Sequence, residues 1–368
     1  MMKELFEETA IRGMKLRNRF VRSATWEGMA TPDGEVTSRL VDLMVQLARG
    51  GVALIISSHA YVRQDGQAGV FQLGIYDDHL IPGLRKMVSA VHNEGGKIVA
   101  QLAHAGFMAN PKLTGQPPLG VSQVEGFGGS PRKVMTIEDI QGIVAAFGQA
   151  ARRAQEAGFD GVQIHAAHGY LLSQFLSPAF NKRTDAYGGP VENRAKAILE
   201  VLKSIRAEAG EGFPVLVKMN SEDYLEGGLT LPDSLKVGSL LEKAGLDAIE
   251  LSGGTLVSGK LIPSRAGIKT EDKEAYFRDA ARQFKKEVKI PIILVGGVRS
   301  PQVAEKLVAE GYADYLSMSR PFIREPDLVK RWQSGDRSKA KCVSDNQCFG
   351  PGMAGEGIYC VVEKKEGK

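Results

Sequence analysis

The sequence predicts an α/β protein built as a single (β/α)8 barrel, or TIM barrel, followed by a short C-terminal tail. Short apolar runs alternate with longer amphipathic stretches along most of the 368 residues. The short runs are almost continuously apolar, which is typical of parallel strands buried on both faces. Eight strand–helix units in roughly 320 residues fit one barrel better than two domains. A doubly wound open sheet is the alternative, but no G-x-G-x-x-G motif follows the first strand.

The elements follow one another in a regular order. Thr136 with Asp139 is typical of a helix start, and Pro190 and Pro301 suit a first helical turn. The glycines of "EAGF", "KAGL" and "AEGY" suit helix ends. We expect the barrel to span residues 1–335 and the tail to span residues 336–368. The predicted strands are 18–25, 52–58, 97–104, 161–166, 214–220, 248–254, 291–297 and 313–320.

Composition and charge narrow the class of protein. The formal net charge is +4 and no block of lysines or arginines occurs, so we expect neither nucleic acid nor a membrane as partner. The start, "MMKELFEETA", is mixed and acidic, and no run reaches roughly 18 apolar residues, which predicts a soluble, cytoplasmic protein. All three cysteines follow residue 340, so we expect no disulfides to hold the barrel together.

Functional groups of such a barrel are expected where its strands end, because helices cover its sides and side chains fill its interior. The glycines of "VGGVRSP" and the arginine of "MSRP" predict a phosphate site at the last two strand ends. The alternative is that these glycines only permit a tight turn and that the arginine forms a structural ion pair. The candidate residues at the strand ends are Ala24, Thr25, Ser58, His59, Gln101, His104, His165, His168, Lys218, Asn220, Ser252 to Gly254, Gly296, Gly297, Ser319 and Arg320.

Several segments carry a resemblance to a known family. "NRFVRSA", "QLAHAG", "HAAHGYLLSQFLSPAFNKRTDAYGGPVENR" and "VGGV" with "SRPFIREPDL" resemble the Old Yellow Enzyme family, the FMN-dependent NAD(P)H:flavin oxidoreductases and ene-reductases. The resemblance covers roughly residues 5 to 335. It implies an FMN barrel that takes hydride from NADH or NADPH and passes it to a small-molecule substrate, an α,β-unsaturated carbonyl or similar activated alkene.

The resemblance also implies which residues hold the cofactor. Gln101 matches the residue at the pyrimidine edge of the flavin, and an amide both donates and accepts there. Lys218 takes the place of an arginine beside the N1–C2 carbonyl region, where a cation stabilises charge on reduced flavin. The other implied cofactor contacts are Ser23, Ala24 and Thr25 along the reactive edge, His59 flanking the ring, Ser252 near the ribityl chain, and Gly296, Gly297, Ser319 and Arg320 at the phosphate.

The stretch "IHAAHGYLLSQFLSP" matches the family's catalytic residues. The resemblance implies that His165 and His168 bind the substrate carbonyl oxygen and that Tyr170 donates a proton to the α-carbon. One alternative is a pair of turn histidines with satisfied hydrogen bonds. Another is a metal site, but catalytic zinc needs a third ligand that the local sequence does not offer, so we expect no metal.

Two features depart from the family. Trp26 replaces a cysteine or threonine and is expected either to contact substrate or to point into the core. In the tail, Cys342, Cys348 and Cys360 resemble the cysteine cluster of larger relatives that hold a four-iron cluster. Asp345 interrupts that run and only three thiolates remain, so we expect no iron–sulfur cluster and a single flavin. A tail contact between subunits, and hence a homo-oligomer, stays open.

Two other functions remain compatible with the sequence. A lysine at a strand end is also what a Schiff-base lyase uses, so Lys218 allows a flavin-free lyase. A barrel that binds flavin or another phosphate ligand without turnover is the second. The choice between NADH and NADPH depends on loops that follow no general rule.

Overall fold

The computed structural model describes residues 2–124 and 132–367. Eight parallel strands form a closed barrel in which neighbours along the chain are neighbours around the ring. Each strand overlaps its predicted run, so the predicted (β/α)8 barrel is confirmed. The strands are β1 Phe20–Arg22, β2 Leu54–Tyr61, β3 Lys97–Ala103, β4 Val162–Ala166, β5 Val215–Asn220, β6 Ala248–Ser252, β7 Ile292–Val295 and β8 Tyr315–Met318.

Helices cover the outside of the barrel. The predicted cap is present. The Thr136 hydroxyl accepts a hydrogen bond from the backbone N–H of Asp139, and the Asp139 carboxylate accepts one from the backbone N–H of Thr136. Pro301 opens its helix as predicted, whereas Pro190 lies one position before its helix. The longer helices are α1 Ser38–Arg49, α2 Ile81–Asn93, α3 Ile137–Ala157, α4 Lys196–Ala209, α5 Leu231–Lys243, α6 Arg278–Glu287 and α7 Pro301–Ala309. The shorter ones are Met2–Leu5, Pro111–Thr114, Leu171–Leu176, Val191–Arg194, Arg320–Arg324, Leu328–Gln333, Phe349–Met353 and Val361–Glu366.

The apolar core has two layers separated by the barrel wall. The outer layer lies between strands and helices. The inner layer fills the end where the strands begin, and a hairpin of strands Thr9–Ile11 and Met14–Leu16 closes that end. Polar groups inside the barrel are therefore left to the opposite end, which we call the mouth. The inner layer consists of Ile11, Met14, Leu16, Val21, Ala53, Leu54, Ile56, Val99, Leu216, Ala248, Ile293 and Tyr315.

Strand β2 contains a one-residue bulge. Ile56 pairs with Val99 and His59 pairs with Gln101, so two residues of β2 lie opposite one residue of β3. Ile56 faces the inner layer, and uninterrupted alternation would turn His59 toward the helices. The extra residue turns it toward the mouth instead. The hydroxyl of Ser57 accepts the N–H of Gln101 at 3.1 Å and so satisfies the backbone at the bulge.

The tail packs on loops at the mouth. Ring atom Cζ3 of Trp26 lies 3.0 Å from the position that a Cβ on Gly352 would take, so the backbone of the tail lies directly against the indole. The N–H of Ile358 donates to the carbonyl of Glu27 at 2.9 Å. The boundary at residue 335 stays a prediction. No helix in the described part of the chain is long and apolar enough to cross a membrane.

Candidate active site

The predicted cofactor residues collect at the mouth. Gln101 lies on β3, Lys218 on β5 and Ser252 at the end of β6, and residues 23–25 follow β1. Strands β1 and β5 lie apart in the ring, yet Lys218 Nζ donates to the hydroxyl of Ser23 at 2.6 Å. These two side chains therefore meet across the barrel interior.

A buried carboxylate joins this contact. Lys218 Nζ donates to Glu250 Oε1 at 3.1 Å, and the hydroxyls of Ser23 and Ser317 donate to the same oxygen at 2.7 and 2.8 Å. The side chains of Lys218 and Glu250 are 4% and 0% exposed. Burial raises the pKa of Glu250, but the charge of Lys218 and the hydrogen bonds outweigh burial, so the pKa lies below its usual value. Glu250 is therefore ionised at neutral pH.

Two amides connect this carboxylate to the predicted flavin residue on β3. Gln163 Nε2 donates to Glu250 Oε2 at 2.9 Å, and Gln101 Nε2 donates to Gln163 Oε1 at 2.7 Å. Gln163 is 0% exposed and Gln101 is 2% exposed. A continuous hydrogen-bonded chain thus links Gln101 to Lys218 through Gln163 and Glu250.

The predicted catalytic residues form a cluster of aromatic rings. Ring centroids of His165 lie 4.7 Å from Tyr170 and 5.4 Å from His168. His168 Nε2 lies 2.8 Å from the hydroxyl of Ser252, and the Tyr170 hydroxyl lies 3.1 Å from His59 Nε2. His59 was predicted to flank the flavin; the structure places it on Tyr170, and its contact with a cofactor stays a prediction.

The backbone after β4 is strained where it carries this cluster. His168 has a left-handed φ of 65°, and Gly169 follows with a φ of 85°. The N–H of His168 donates to Asn220 Oδ1 at 3.2 Å, and its backbone forms a bridge with Thr255. A non-glycine residue keeps such a conformation only where its surroundings fix it, and strain of this kind clusters at functional sites.

All three imidazoles of the cluster are held neutral. Burial lowers the pKa of His59 to about 4. Burial lowers the pKa of His165 and of His168 well below the usual value, and the neighbouring histidines and the charge of Lys218 add to the effect. Burial raises the pKa of Tyr170. At neutral pH the cluster therefore offers uncharged N–H and O–H donors.

One nitrogen of the cluster is left without a partner among the described residues. His165 Nδ1 is buried and has no hydrogen-bond partner among the described residues, which is not expected of a histidine that only satisfies a turn. In the described ranges, no group of three or more His, Cys, Asp or Glu side chains is arranged to hold a metal ion.

The backbone at the predicted phosphate site requires glycine at two positions. Gly296 and Gly297 have φ values of 138° and 79°, and a Cβ on Gly297 would lie 2.9 Å from the ring of Tyr276. The buried guanidinium of Arg320 donates to Asn346 Oδ1 of the tail at 2.6 Å. Among the described residues Arg320 has no carboxylate partner within ion-pair distance, so the alternative of a structural ion pair is not supported. The hydroxyls of Ser319 and Thr25 lie 2.7 Å apart.

Trp26 and the three cysteines, the features that depart from the family, lie against or within the tail. Trp26 packs on the tail, and its predicted contact with substrate stays a prediction. Cys342 and Cys348 are buried and Cys360 is half-buried, and all three are free thiols. Burial, with Cys342 and Asp345 nearby, raises the pKa of Cys348 to about 11.

Sequence reasoning missed Glu250 and Gln163. Each lies in the middle of a buried strand, in "AIELS" and "GVQIHA", and not at a strand end. The available signal was a polar or charged residue inside an otherwise apolar run, which needs a buried partner.

Residues 4–339 match the NADH:flavin oxidoreductase / NADH oxidase family. The chain belongs to this family. This membership confirms the resemblance to the Old Yellow Enzyme family and the predicted flavin cofactor, FMN.

Individual relatives agree with the family assignment. The NADH oxidase of Thermoanaerobacter brockii is 37% identical over 94% of this chain and 53% of its own length. A 2-naphthoyl-CoA reductase in complex with 2-naphthoyl-CoA superposes with a TM-score of 0.91 and 30% identity over 98% of this chain and 57% of its own. The Old Yellow Enzyme homologue from Zymomonas mobilis superposes with a TM-score of 0.78 and 26% identity, over 94% and 97%. This chain thus spans about half the length of the first two relatives.

Proposed function

We propose that this chain is an FMN-dependent oxidoreductase that passes hydride from NADH or NADPH to an α,β-unsaturated carbonyl or similar activated alkene. The observation that carries the proposal is the cluster of neutral donors at the mouth, in which His165 Nδ1 has no partner among the residues that the structure describes. A buried polar atom without a partner is costly, by about 1–3 kcal/mol, unless a ligand completes it.

The residues at the mouth fit FMN. Gln101 and Lys218 would meet the polar edge of the ring system, and Ser252 the ribityl chain. Gly296, Gly297, Ser319 and Arg320 would hold the phosphate, because left-handed glycines leave N–H groups uncovered and a guanidinium matches phosphate geometry. When bound, FMN supplies the hydride chemistry that no side chain can perform.

The remaining chemistry falls to the aromatic cluster. His165 and His168 would donate to the carbonyl oxygen of the substrate and stabilise negative charge that grows there as hydride reaches the β-carbon. Tyr170 would give its proton to the α-carbon. Because its pKa is raised, Tyr170 keeps that proton until the substrate carbon becomes basic enough to take it.

The geometry disfavours the lyase that the sequence left open. A Schiff-base lysine must present an unprotonated amine to its substrate. Lys218 Nζ instead binds a carboxylate and a hydroxyl inside the barrel. We therefore assign Lys218 to the cofactor and not to covalent catalysis.

We place the protein in the cytoplasm with small-molecule partners and without nucleic acid or membrane, because its charge is small and shows no basic block. Trp26 remains a candidate substrate contact, and a homo-oligomer stays open.

The visible absorption spectrum of the purified protein tests the proposal. We expect a flavin spectrum, release of noncovalent FMN on denaturation, bleaching by NADH or NADPH without oxygen, and return of the colour on adding cyclohexenone. Release of FAD, or no flavin after reconstitution, would contradict the cofactor assignment. Bleaching without recovery on any activated alkene would leave a flavin reductase and contradict the substrate class.

A further inference from the structure

Glu250 links Lys218 to the hydrogen-bonded amides inside the barrel. Both of its carboxylate oxygens are used: Oε1 accepts from Lys218, Ser23 and Ser317, and Oε2 accepts from Gln163. It pairs along the sheet with Lys218, its neighbour on β5. A buried carboxylate with this many donors is fixed in place, because moving it would leave several polar groups unpaired.

The carboxylate determines how two amides are oriented. An ionised carboxylate only accepts hydrogen bonds, so Gln163 must turn its NH2 group toward Glu250. Gln163 then turns Oε1 toward Gln101, so Gln101 must donate a hydrogen bond from its own NH2 group. Gln101 Oε1 is therefore left for the ligand side. The sequence offers an amide at position 101, and Glu250 decides which end of it faces the flavin.

The same carboxylate balances the charge of Lys218. An isolated ammonium beside the flavin would favour the anionic, reduced form strongly, because a buried charge is poorly screened. Glu250, 3.1 Å from Lys218 Nζ, offsets part of that field. The pair thus moderates the preference for reduced flavin while keeping the lysine in place.

We propose that Glu250 is a positioning residue for the flavin, which orients the Gln101 amide through Gln163 and balances the charge of Lys218. This inference rests on the proposed function. Glu250 lies below the residues that would contact FMN and acts only through them.

The test compares three variants of the full chain, each reconstituted with FMN. Glu250→Gln keeps the shape and removes the charge; Gln163→Met breaks the amide chain and keeps the charged pair. Ser317→Ala is the matched control, because it removes one hydrogen bond to the same carboxylate and changes neither charge nor amide. FMN affinity is measured by fluorescence titration, and the two-electron reduction potential is measured at pH 6.5 with reference dyes.

For Glu250→Gln we expect the preference for reduced over oxidised FMN to rise about 10- to 100-fold, which is a positive shift of about 30 to 60 mV. The FMN affinity of this variant falls too, because an amide at position 250 can also donate a hydrogen bond and so allows the amides of Gln163 and Gln101 to reverse their orientation. For Gln163→Met we expect FMN affinity to fall about 10-fold, the equivalent of one lost hydrogen bond of about 1.4 kcal/mol, with the potential unchanged. Ser317→Ala should match the parent in both measurements.

The outcomes separate this inference from the proposed function. A parent protein that binds no FMN overturns both. A parent that binds FMN, with Glu250→Gln at the parental or a lower potential, overturns the inference alone. If Glu250→Gln does not fold, Gln163→Met decides: parental FMN affinity overturns the role of Glu250, and weakened affinity at parental potential supports it.

Discussion

Strands β5 and β6 bring the charged pair of Lys218 and Glu250 into the mouth, on what we call the charged side. Strand β2, the end of β4 and the turn after β4 bring neutral imidazoles and a phenol, on what we call the neutral side. On the charged side, Lys218 and Glu250 form a direct ion pair and both oxygens of the carboxylate accept hydrogen bonds. On the neutral side, His165 Nδ1 has no partner within the described residues. On the charged side, the protein's own hydrogen bonds fix the carboxylate before any ligand binds. The neutral side retains hydrogen-bonding capacity for a ligand that binds and dissociates.

The largest expected effect is on the neutral side. Tyr170→Phe removes the proposed proton donor, so alkene reduction should slow by about 100- to 10,000-fold, the range typical of a positioned acid. Reduction by NADH or NADPH needs no proton from Tyr170 and should be spared. Stopped-flow measurement of the two half-reactions checks this. Tyr187→Phe is the control, since Tyr187 bonds to Glu200 and Gln141 away from the mouth. Alkene reduction at the parental rate in Tyr170→Phe would remove Tyr170 from catalysis.

On the charged side, the expected effect is on folding. Lys218→Met leaves Glu250 buried without its counter-charge, and breaking a buried pair in this way costs about 3–5 kcal/mol of unfolding free energy. Adding Glu250→Gln should recover most of that loss. Urea unfolding measures both, with Lys306→Met as the control because its pair with Glu310 is exposed. If the single and double variants are equally destabilised, the two charges are not coupled.

Lowering the pH should reduce the free energy of unfolding through a buried histidine of the neutral side. Unfolded His59 takes up a proton as the pH falls through about 6.5, whereas folded His59 does so only near a pKa of about 4. The unfolded chain therefore binds more protons between these values, and stability falls as the pH drops through that window. From pH 6.5 to 5 the loss is about 1.6 kcal/mol for this group.

The pH effect can be assigned by substitution. His59→Gln should flatten the fall in unfolding free energy between pH 6.5 and 5, and His79→Gln, at an exposed histidine, should not. An unchanged pH profile in His59→Gln would show that the imidazole is not held neutral by the fold.

The smallest expected effect tests whether the charged pair depends on the hydroxyl of Ser23. Ser23→Ala removes a hydroxyl that accepts from Lys218 and donates to Glu250, yet these two groups keep their direct contact. The unfolding free energy should fall by about 1 kcal/mol, as for an ordinary hydrogen bond. Urea unfolding beside Lys218→Met makes the comparison. A loss as large as that of Lys218→Met would mean that the hydroxyl, and not the direct pair, holds the charges together.

The sequence predicted the features that depend on local pattern. Apolar runs gave all eight strands, and the rule that polar groups lie at strand ends brought Gln101, Lys218 and His165 to one end of the barrel. For Glu250 the sequence offered one signal, a charge inside an apolar run, but the role of that carboxylate depends on Lys218 on the neighbouring strand. The sequence also could not predict that the tail packs on Trp26, because this contact joins residues that are far apart in the chain.

The bulge in β2 makes this site tolerant of a one-residue change in chain length. Side chains alternate along a strand, so with a single residue between Ile56 and His59 regular alternation would turn both side chains to the same face. Deleting either serine between them would therefore remove the bulge and leave the pairing of His59 with Gln101 intact. The imidazole would keep its place beside Tyr170. Two related chains that differ by one residue in length here can thus present the same third imidazole, and the number of residues in β2 does not reveal whether that imidazole is present.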